Sequence, residues 1–252
     1  MKETRAGISI LVFIISAHIA FLLPQTSQSR NVTAGYAPTS CPGPVSGARS
    51  TLLLPAERVP TKYLASLGSD FRKTSTGSFT LSQGAIVVQG DPRNSLEIQS
   101  KAGQWTSGTT CSSGSTESWF VGGNAGVTSQ SKLAIENSGL SDATVELTTF
   151  SENGPSAATS VTISSASEKT IRLDALNPGA NKIVTRLRVL SGRVTAFMLD
   201  ERVKGLKNLG ADFVPASPHP STSVIIGGIP SSIGKDSKVQ TILRILAPGA
   251  ID

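Results

Sequence analysis

The residues best suited to binding chemistry lie between Lys182 and Lys207, where seven lysines and arginines accompany only two carboxylates. Arg186 and Arg188 are two positions apart, so a β-strand would present both on one face. Arg193 lies in the turn beyond them. Because guanidinium groups bind carboxylates and phosphates, this basic stripe predicts a contact with an anionic polymer or membrane surface through Arg186, Arg188 and Arg193. The alternative is a solvated strand face that discourages edge-to-edge aggregation.

No catalytic centre is predicted. A serine triad needs an imidazole, and the chain beyond its first 29 residues has only His219, between two prolines, which we interpret as a surface-loop residue. The stretch GIPSSIGK at 228–235 resembles a phosphate-binding loop, but five residues separate its glycines where the motif needs four. Asp236 then follows Lys235 and would repel phosphate. We therefore predict that the chain is not an enzyme and binds no cofactor.

The two cysteines, Cys41 and Cys111, predict a disulfide if the chain is exported, because paired cysteines in exported chains are usually bridged. The bridge would close a loop of about 70 residues, for which the chain-entropy model gives roughly 4 kcal/mol of stabilisation. Two free buried thiols are the alternative. Neither cysteine is near a histidine cluster, so no metal site is predicted.

The first residues predict export. Lys2 and Arg5 precede an apolar run over residues 7–23, which as a helix would be about 25 Å long. This is close to the roughly 30 Å of a membrane's hydrocarbon core. Residues 1–29 are thus predicted to be an uncleaved signal anchor that contacts the membrane and places the rest outside the cytoplasm. The alternative is a signal peptide that is cleaved near Ser29, giving a secreted chain.

The remainder is predicted to be all-β. Apolar residues alternate with polar ones at Leu133 and Ile135, and again at Val145 and Leu147, the pattern of strands with one wet face. Residues 182–200 are predicted to form a hairpin that turns at Ser191–Arg193. Outside residues 7–23 no segment keeps a helical apolar period over a dozen residues. The fold class predicted is therefore an immunoglobulin-like β-sandwich preceded by one N-terminal hydrophobic helix.

A repeat sets the predicted domain boundaries. Trp119–Gly123 (WFVGG) returns 105 residues later as Val224–Gly228 (VIIGG), a period that is one sandwich long. We expect one complete unit and the first strands of another. After the leader, the predicted segments are a linker at 30–50, an irregular β extension tied to the sandwich at 51–117, the complete unit at 118–222, and the incomplete unit at 223–252.

Several short motifs together resemble a known family. They are Cys41–Pro44, Trp119–Gly123, Leu133–Asn137, Asn153–Pro155, Gly192–Ala196 and Ile226–Pro230. With these motifs the chain resembles a secreted, actinobacterial family of unknown function that has paired immunoglobulin-like units behind an N-terminal membrane segment. The resemblance implies an envelope protein of unassigned activity and transfers no catalytic residue.

These observations define two functional hypotheses. The first is a non-catalytic envelope protein that acts as a structural or protein-interaction module. The second is a module that binds wall polymer or carbohydrate through the basic hairpin around residues 182–207. The net charge of +6 favours anionic surroundings without selecting a partner. Nucleic acid is not expected as a partner, because export would separate the protein from the nucleic acids of the cell. In addition, no aromatic residues interleave with the basic ones to stack on bases.

Overall fold

The computed structural model describes residues 39–45, 47–54, 60–64, 72–73, 77–81, 84–89, 95–217, 219–227 and 242–249, with residues 72, 73 and 79 described by their backbone alone. All of them belong to one compact unit, Tyr36–Asp252. Two of its strands begin within the predicted linker, and the predicted β extension supplies most of two sheets.

The described residues form nineteen strands and one short helix, α1 (Leu173–Leu176). The first nine strands are β1 (Thr39–Cys41), β2 (Arg49–Leu53), β3 (Pro60–Tyr63), β4 (Arg72–Lys73), β5 (Ser78–Leu81), β6 (Ile86–Val88), β7 (Leu96–Lys101), β8 (Trp105–Thr110) and β9 (Ser112–Ser113). The others are β10 (Glu117–Val121), β11 (Lys132–Asn137), β12 (Ala143–Ser151), β13 (Gly154–Pro155), β14 (Thr159–Ile163), β15 (Ser167–Arg172), β16 (Val184–Ser191), β17 (Val194–Lys204), β18 (Lys207–Val214) and β19 (Ala216–Ser217).

These strands build four small antiparallel sheets in a β-propeller-like ring. Sheet I has the order β4-β3-β6-β1-β9, and sheet II has the order β5-β2-β7-β8. Sheet III has the order β13-β12-β16-β10-β19, with β14 also paired to β12. Sheet IV has the order β15-β11-β17-β18.

Sheet IV is covered on both faces. On one face, Leu133 and Met198 join a core with Leu147 and Leu187 of sheet III. On the other face, Leu199 packs with Trp105 of sheet II. Sheets I and II share a further core, which contains the Cys41–Cys111 disulfide. Because both faces of sheet IV are covered, β11 is buried at five of its six positions.

The prediction of an all-β protein is confirmed, but the prediction of an immunoglobulin-like sandwich is wrong. A sandwich has two sheets, each with one face in the core and one in water. Here Glu136, a polar position of β11, is not in water but is covered by Ser40 of the N-terminal strand β1. The polar side of the period-two pattern predicted a solvated face. In the structure a third layer of strands covers that face. The result is four sheets in place of two.

The predicted hairpin over residues 182–200 is also wrong. Strand β16 pairs with β10 and β12 in sheet III, whereas β17 pairs with β11 and β18 in sheet IV. The turn at Gly192 therefore carries the chain from one sheet to the other across the main core. The hairpin in this region is β17–β18, in which Lys204 pairs with Lys207. Local alternation predicted both strands of the 182–200 stretch but could not tell a hairpin from a crossing between sheets.

The predicted first strands of a second unit are absent where residues 223–252 are described. Residues 223–227 and 242–249 contain no strand. Val224 and Ile225, which match Trp119 and Phe120 in the repeat, are 71% and 95% exposed, whereas Trp119 and Phe120 are buried. The sequence similarity between the two stretches thus does not extend to their structure.

The predicted signal anchor gains no support from the structure. In the part of the chain that the structure describes, no helix is long and apolar enough to cross a membrane. Residues 7–23, on which that prediction rests, and the alternative cleavage position near Ser29 lie outside the described residues.

Candidate functional site

The outer face of sheet III, opposite the main core, carries a row of paired charges. Cross-strand register places Arg188 of β16 between Glu117 of β10 and Glu146 of β12. The Arg188 Nη2 lies 3.0 Å from Glu146 Oε1, and the Arg186 Nε lies 2.5 Å from Glu117 Oε1. Both pairs are partly exposed, so each contributes at most about 1 kcal/mol to stability. Their effect is to neutralise two of the three arginines expected to contact an anionic partner.

His219 completes this row from the segment after β19. Its Nδ1 lies 2.9 Å from the second carboxylate oxygen of Glu117. Burial opposes ionisation of Glu117, but hydrogen bonds from His219 and Arg186 outweigh it and lower the pKa of the carboxyl. The prediction of a surface histidine is consistent with its 65% exposed side chain. The carboxylate partner was missed, because Glu117 lies 102 residues earlier in the chain.

Aromatic rings flank the charged row. Trp119 stacks against Phe150 with ring centroids 5.6 Å apart, and the Arg186 guanidinium lies 5.3 Å from the Trp119 ring centre. Cation–π contacts at such distances contribute roughly 0.5–1 kcal/mol. Trp119 is buried on the face of sheet III away from the main core, whereas its neighbour Phe120 belongs to that core. Arg186 is thus fixed by both a carboxylate and an aromatic ring.

The third arginine, Arg193, lines a shallow pocket of about 340 Å³ where the chain crosses from β16 to β17. Residues 114–116 and 189–194 form its walls. Ser115 donates its N–H to Val194 O (3.2 Å), and Val189 donates its N–H to Thr116 O (2.9 Å). Segment 114–116 therefore bridges the ends of both strands and holds one wall in place.

Glycine shapes the opposite wall of this pocket. Gly192 has a φ of 88°, which favours glycine. A Cβ at this position would lie 2.5 Å from the Cβ of buried Ala143, so the turn can approach β12 only without a side chain. Arg193 follows this turn. It is exposed and forms no ion pair with another described residue. The pocket is thus lined by Arg193 together with three hydroxyl-bearing residues, Ser115, Thr116 and Ser191, of which Ser115 is hydrogen-bonded to the hydroxyl of Ser118 at 2.8 Å.

The structure confirms the predicted disulfide, with Cys41 and Cys111 bonded at an S–S distance of 2.03 Å. It also separates the predicted anionic-polymer contacts into two groups. Arg186 and Arg188 lie on the outer face of sheet III and are engaged by carboxylates, and Arg193 is near the pocket. Sequence spacing alone could not show this, because the partners Glu117 and Glu146 come from other strands.

Arg244 was also missed by sequence reasoning. Its Nη1 donates to the carbonyl oxygens of Gly123 and Ile183, each at 2.9 Å. Burial lowers the pKa of its guanidinium from its ordinary value. These contacts tie segment 242–249 to the loops beside sheet III although that segment has no strand.

Taken together, the four sheets, the disulfide and the ion pairs on the outer face of sheet III define a disulfide-bonded all-β protein. The chain belongs to a family of unknown function, DUF5719, which matches residues 74–252. This match confirms the resemblance predicted from the sequence at the level of a family of unknown function.

Comparison with other proteins adds little to the family match. No curated protein matches the chain. Among solved structures, the crystal structure of Thermotoga maritima 1070 is 19% identical, with a TM-score of 0.38, over 42% of this chain and 96% of that protein. A likeness at this score supports no inference about fold or function.

Proposed function

We propose that the chain is a non-catalytic interaction module of the cell envelope, and that it binds an acidic group of its partner at the Arg193 pocket. One observation carries this proposal. Of the three arginines in the basic stripe, Arg186 and Arg188 are each held by a carboxylate, whereas Arg193 lines a pocket and has no ion-pair partner among the described residues. A free guanidinium is the group that a carboxylate or phosphate of a partner would engage.

The surroundings of Arg193 favour a short acidic group on a larger chain. Thr116 and Ser191, which also line the pocket, carry hydroxyls that could give a ligand additional hydrogen bonds. Leu190 on the rim is 51% exposed and would contact the apolar part of a ligand. The pocket is open and shallow, which suits one residue or sugar of a polymer better than an enclosed small molecule.

The envelope location rests on the disulfide. Bridges such as Cys41–Cys111 persist in oxidising compartments and are rare in the cytosol. The net charge of +6 would favour the acidic polymers of such a compartment. The proposal needs no membrane anchor.

The non-catalytic assignment is supported by where the acid–base groups lie. His219 is bound to Glu117 at an open surface, where water screens both groups. Of the carboxyls with raised pKa, Glu97 and Glu136 are fully buried and out of reach of a substrate, and half-buried Glu168 accepts a hydrogen bond from the N–H of Gly43. A general acid or base must come within hydrogen-bond reach of the reacting group.

The proposal is tested by binding of the full chain to immobilised poly-L-glutamate, with neutral dextran as the blank surface. Arg193→Gln should raise Kd by about tenfold, as expected for loss of one charge-assisted hydrogen bond. Arg49→Gln, which removes an exposed arginine from β2, should change Kd by less than about twofold. Equal weakening by both variants would show general charge attraction and contradict a site at Arg193.

A second measurement separates an acidic polymer from a protein as the partner. Isolated bacterial cell wall is treated with protease, washed and mixed with the chain, and the bound fraction is measured by sedimentation. Binding that survives the treatment and is lost in Arg193→Gln identifies the polymer. Binding that disappears with the treatment identifies an envelope protein.

A further inference from the structure

Three glutamates converge where residues 39–45, here called the inner segment, pass between sheet II and sheet IV. Glu97 is on β7, and Glu136 and Glu168 face each other across β11 and β15. Glu97 and Glu136 are fully buried, and Glu168 is half-buried. Buried glutamates are uncommon unless they are paired with a cation. This carboxyl cluster is a separate feature from the outer face of sheet III and the Arg193 pocket.

Neutral groups of the inner segment supply hydrogen bonds to the cluster. Ser40 donates its hydroxyl to Glu136, and Gly43 donates its N–H to Glu168 Oε2 at 3.0 Å. A Cβ on Gly43 would lie 2.7 Å from the backbone of Gly84, so the close approach to Glu168 requires glycine. These two contacts join the inner segment directly to sheet IV.

Sheet II holds the same segment through an amide and a hydroxyl. Gln99 donates to Gly43 O at 2.9 Å and accepts from the N–H of Val45 at 3.0 Å. The Gln99 amide also donates to Glu97 Oε1 at 2.7 Å, and Ser50 donates to the same oxygen at 2.5 Å. The position of the inner segment is therefore coupled to the protonation state of Glu97 as well.

The donors are too few for three ionised carboxylates. Among the described residues, Glu97 Oε2 and Glu136 Oε1 are buried without a hydrogen-bond partner. The same holds for the hydroxyl of Thr195 on β17, the residue paired with Glu136. A buried anion without partners costs several kcal/mol, whereas a protonated carboxyl can donate a hydrogen bond and costs much less. The geometry thus favours the neutral form.

The cations on the strands that carry Glu97 and Glu136 do not change this conclusion; a further lysine, buried Lys62 on β3, is in register with Ser40 through Val87 of β6. On β7 and β11, Lys101 and Lys132 lie towards Glu201, with Lys101 Nζ 3.4 Å from Glu201 Oε1. The electrostatic influences on Glu97 and Glu136 come from the other carboxyls of the cluster. Burial raises the pKa of Glu97 to about 7 and raises the pKa of Glu136 and of Glu168 as well, with repulsion from Glu168 adding to the effect at Glu97 and Glu136.

We propose that the carboxyl cluster is a proton-dependent latch, which holds the inner segment between sheets II and IV in acid and loosens it as the surroundings become neutral to alkaline. When the carboxyls lose their protons, they repel one another and need water, which only separation of the segment from sheet IV can admit. The neighbouring Cys41–Cys111 bridge keeps the segment attached to sheets I and II. Opening is therefore expected between the inner segment and sheet IV.

The direction of the pH dependence follows from linkage. A carboxyl whose pKa is higher in the folded protein than in the unfolded chain stabilises the fold at low pH, and that contribution is lost as pH rises through the folded pKa. For Glu97 the loss begins above its ordinary value of 4.5 and is complete only above about 7. The latch would thus respond across the range between acidic and neutral environments.

Hydrogen–deuterium exchange of the full chain at pH 5 and pH 8, corrected for intrinsic exchange rates, tests the latch. Protection of amides in the inner segment should fall by about tenfold or more from pH 5 to pH 8, since each pKa unit corresponds to a factor of ten. Protection in β16 should stay unchanged. Glu97→Gln/Glu136→Gln mimics the protonated pair and should retain protection at pH 8. Glu146→Gln, a change at an exposed ion pair, should behave as the wild type.

Three results would overturn the latch. The first is equal amide protection of the wild-type inner segment at both pH values. The second is the same loss of protection from pH 5 to pH 8 in the double Gln variant. The third is an equal loss of protection throughout β16. If the double variant does not fold, Glu168→Gln takes its place, because Glu168 is half-buried and contacts the segment through Gly43. The wild-type comparison alone is sufficient to refute the proposal.

Discussion

At the scale of single residues, three arginines with the same chemistry have different roles because their neighbours differ. Arg186 and Arg188 lie in a central strand of sheet III, between strands that supply Glu117 and Glu146. Arg193 lies in the turn between β16 and β17, outside the strand pairing, and forms no ion pair with any residue that the structure describes. The guanidinium that remains available for a ligand is therefore the one outside the strand pairing.

The turn before Arg193 yields a prediction about Gly192. Gly192→Ala should lower the free energy of unfolding by about 2–4 kcal/mol, because a positive φ costs about 1 kcal/mol and overpacking against Ala143 costs a further 1–3 kcal/mol. Urea denaturation measures the loss. Gly205→Ala is the control, since Gly205 also has a positive φ but has open space around it. Equal losses in the two variants would show that the contact with Ala143 is not important.

At the scale of elements, the strands were more predictable than their pairing. Alternation correctly placed Leu133 and Ile135 on a core face, because burial against sheet III imposes that period locally. Strand partners are set by contacts distant in sequence, which is why the 182–200 hairpin was wrong. Glu136 shows a further limit. A buried carboxyl and a solvated one look the same in a period-two pattern, so the sequence could not predict the carboxyl cluster.

The covalent link between elements gives a second prediction. Cys41→Ser/Cys111→Ser removes a bridge between residues 70 positions apart, which the chain-entropy model values at about 4 kcal/mol. Urea unfolding of the wild type should shift to lower denaturant when dithiothreitol is added, towards the midpoint of the variant. The variant itself should not respond to the reductant. A variant as stable as the oxidised wild type would contradict a stabilising role for the bridge.

At the scale of the whole molecule, the consequence of four sheets is that residues 118–222 do not contain everything needed to bury their own apolar surface. Sheet IV presents Leu199, Ala211 and Phe213 to a core completed by Trp105 and by Val45 from the N-terminal part. Its face also presents Glu136, which Ser40 covers. A self-sufficient sandwich would have a wet face at these positions.

The fold correction is therefore testable with two fragments. Residues 118–222 alone would expose the apolar side chains of that second core, and we expect this fragment to bind the dye ANS and to lack a cooperative thermal transition. Residues 39–252, which include every described strand, should unfold cooperatively and bind little dye. Cooperative unfolding of the short fragment without dye binding would restore the two-sheet sandwich as an independent unit. Such a result would also remove the structural basis of the latch, because sheet IV would then be stable without the inner segment.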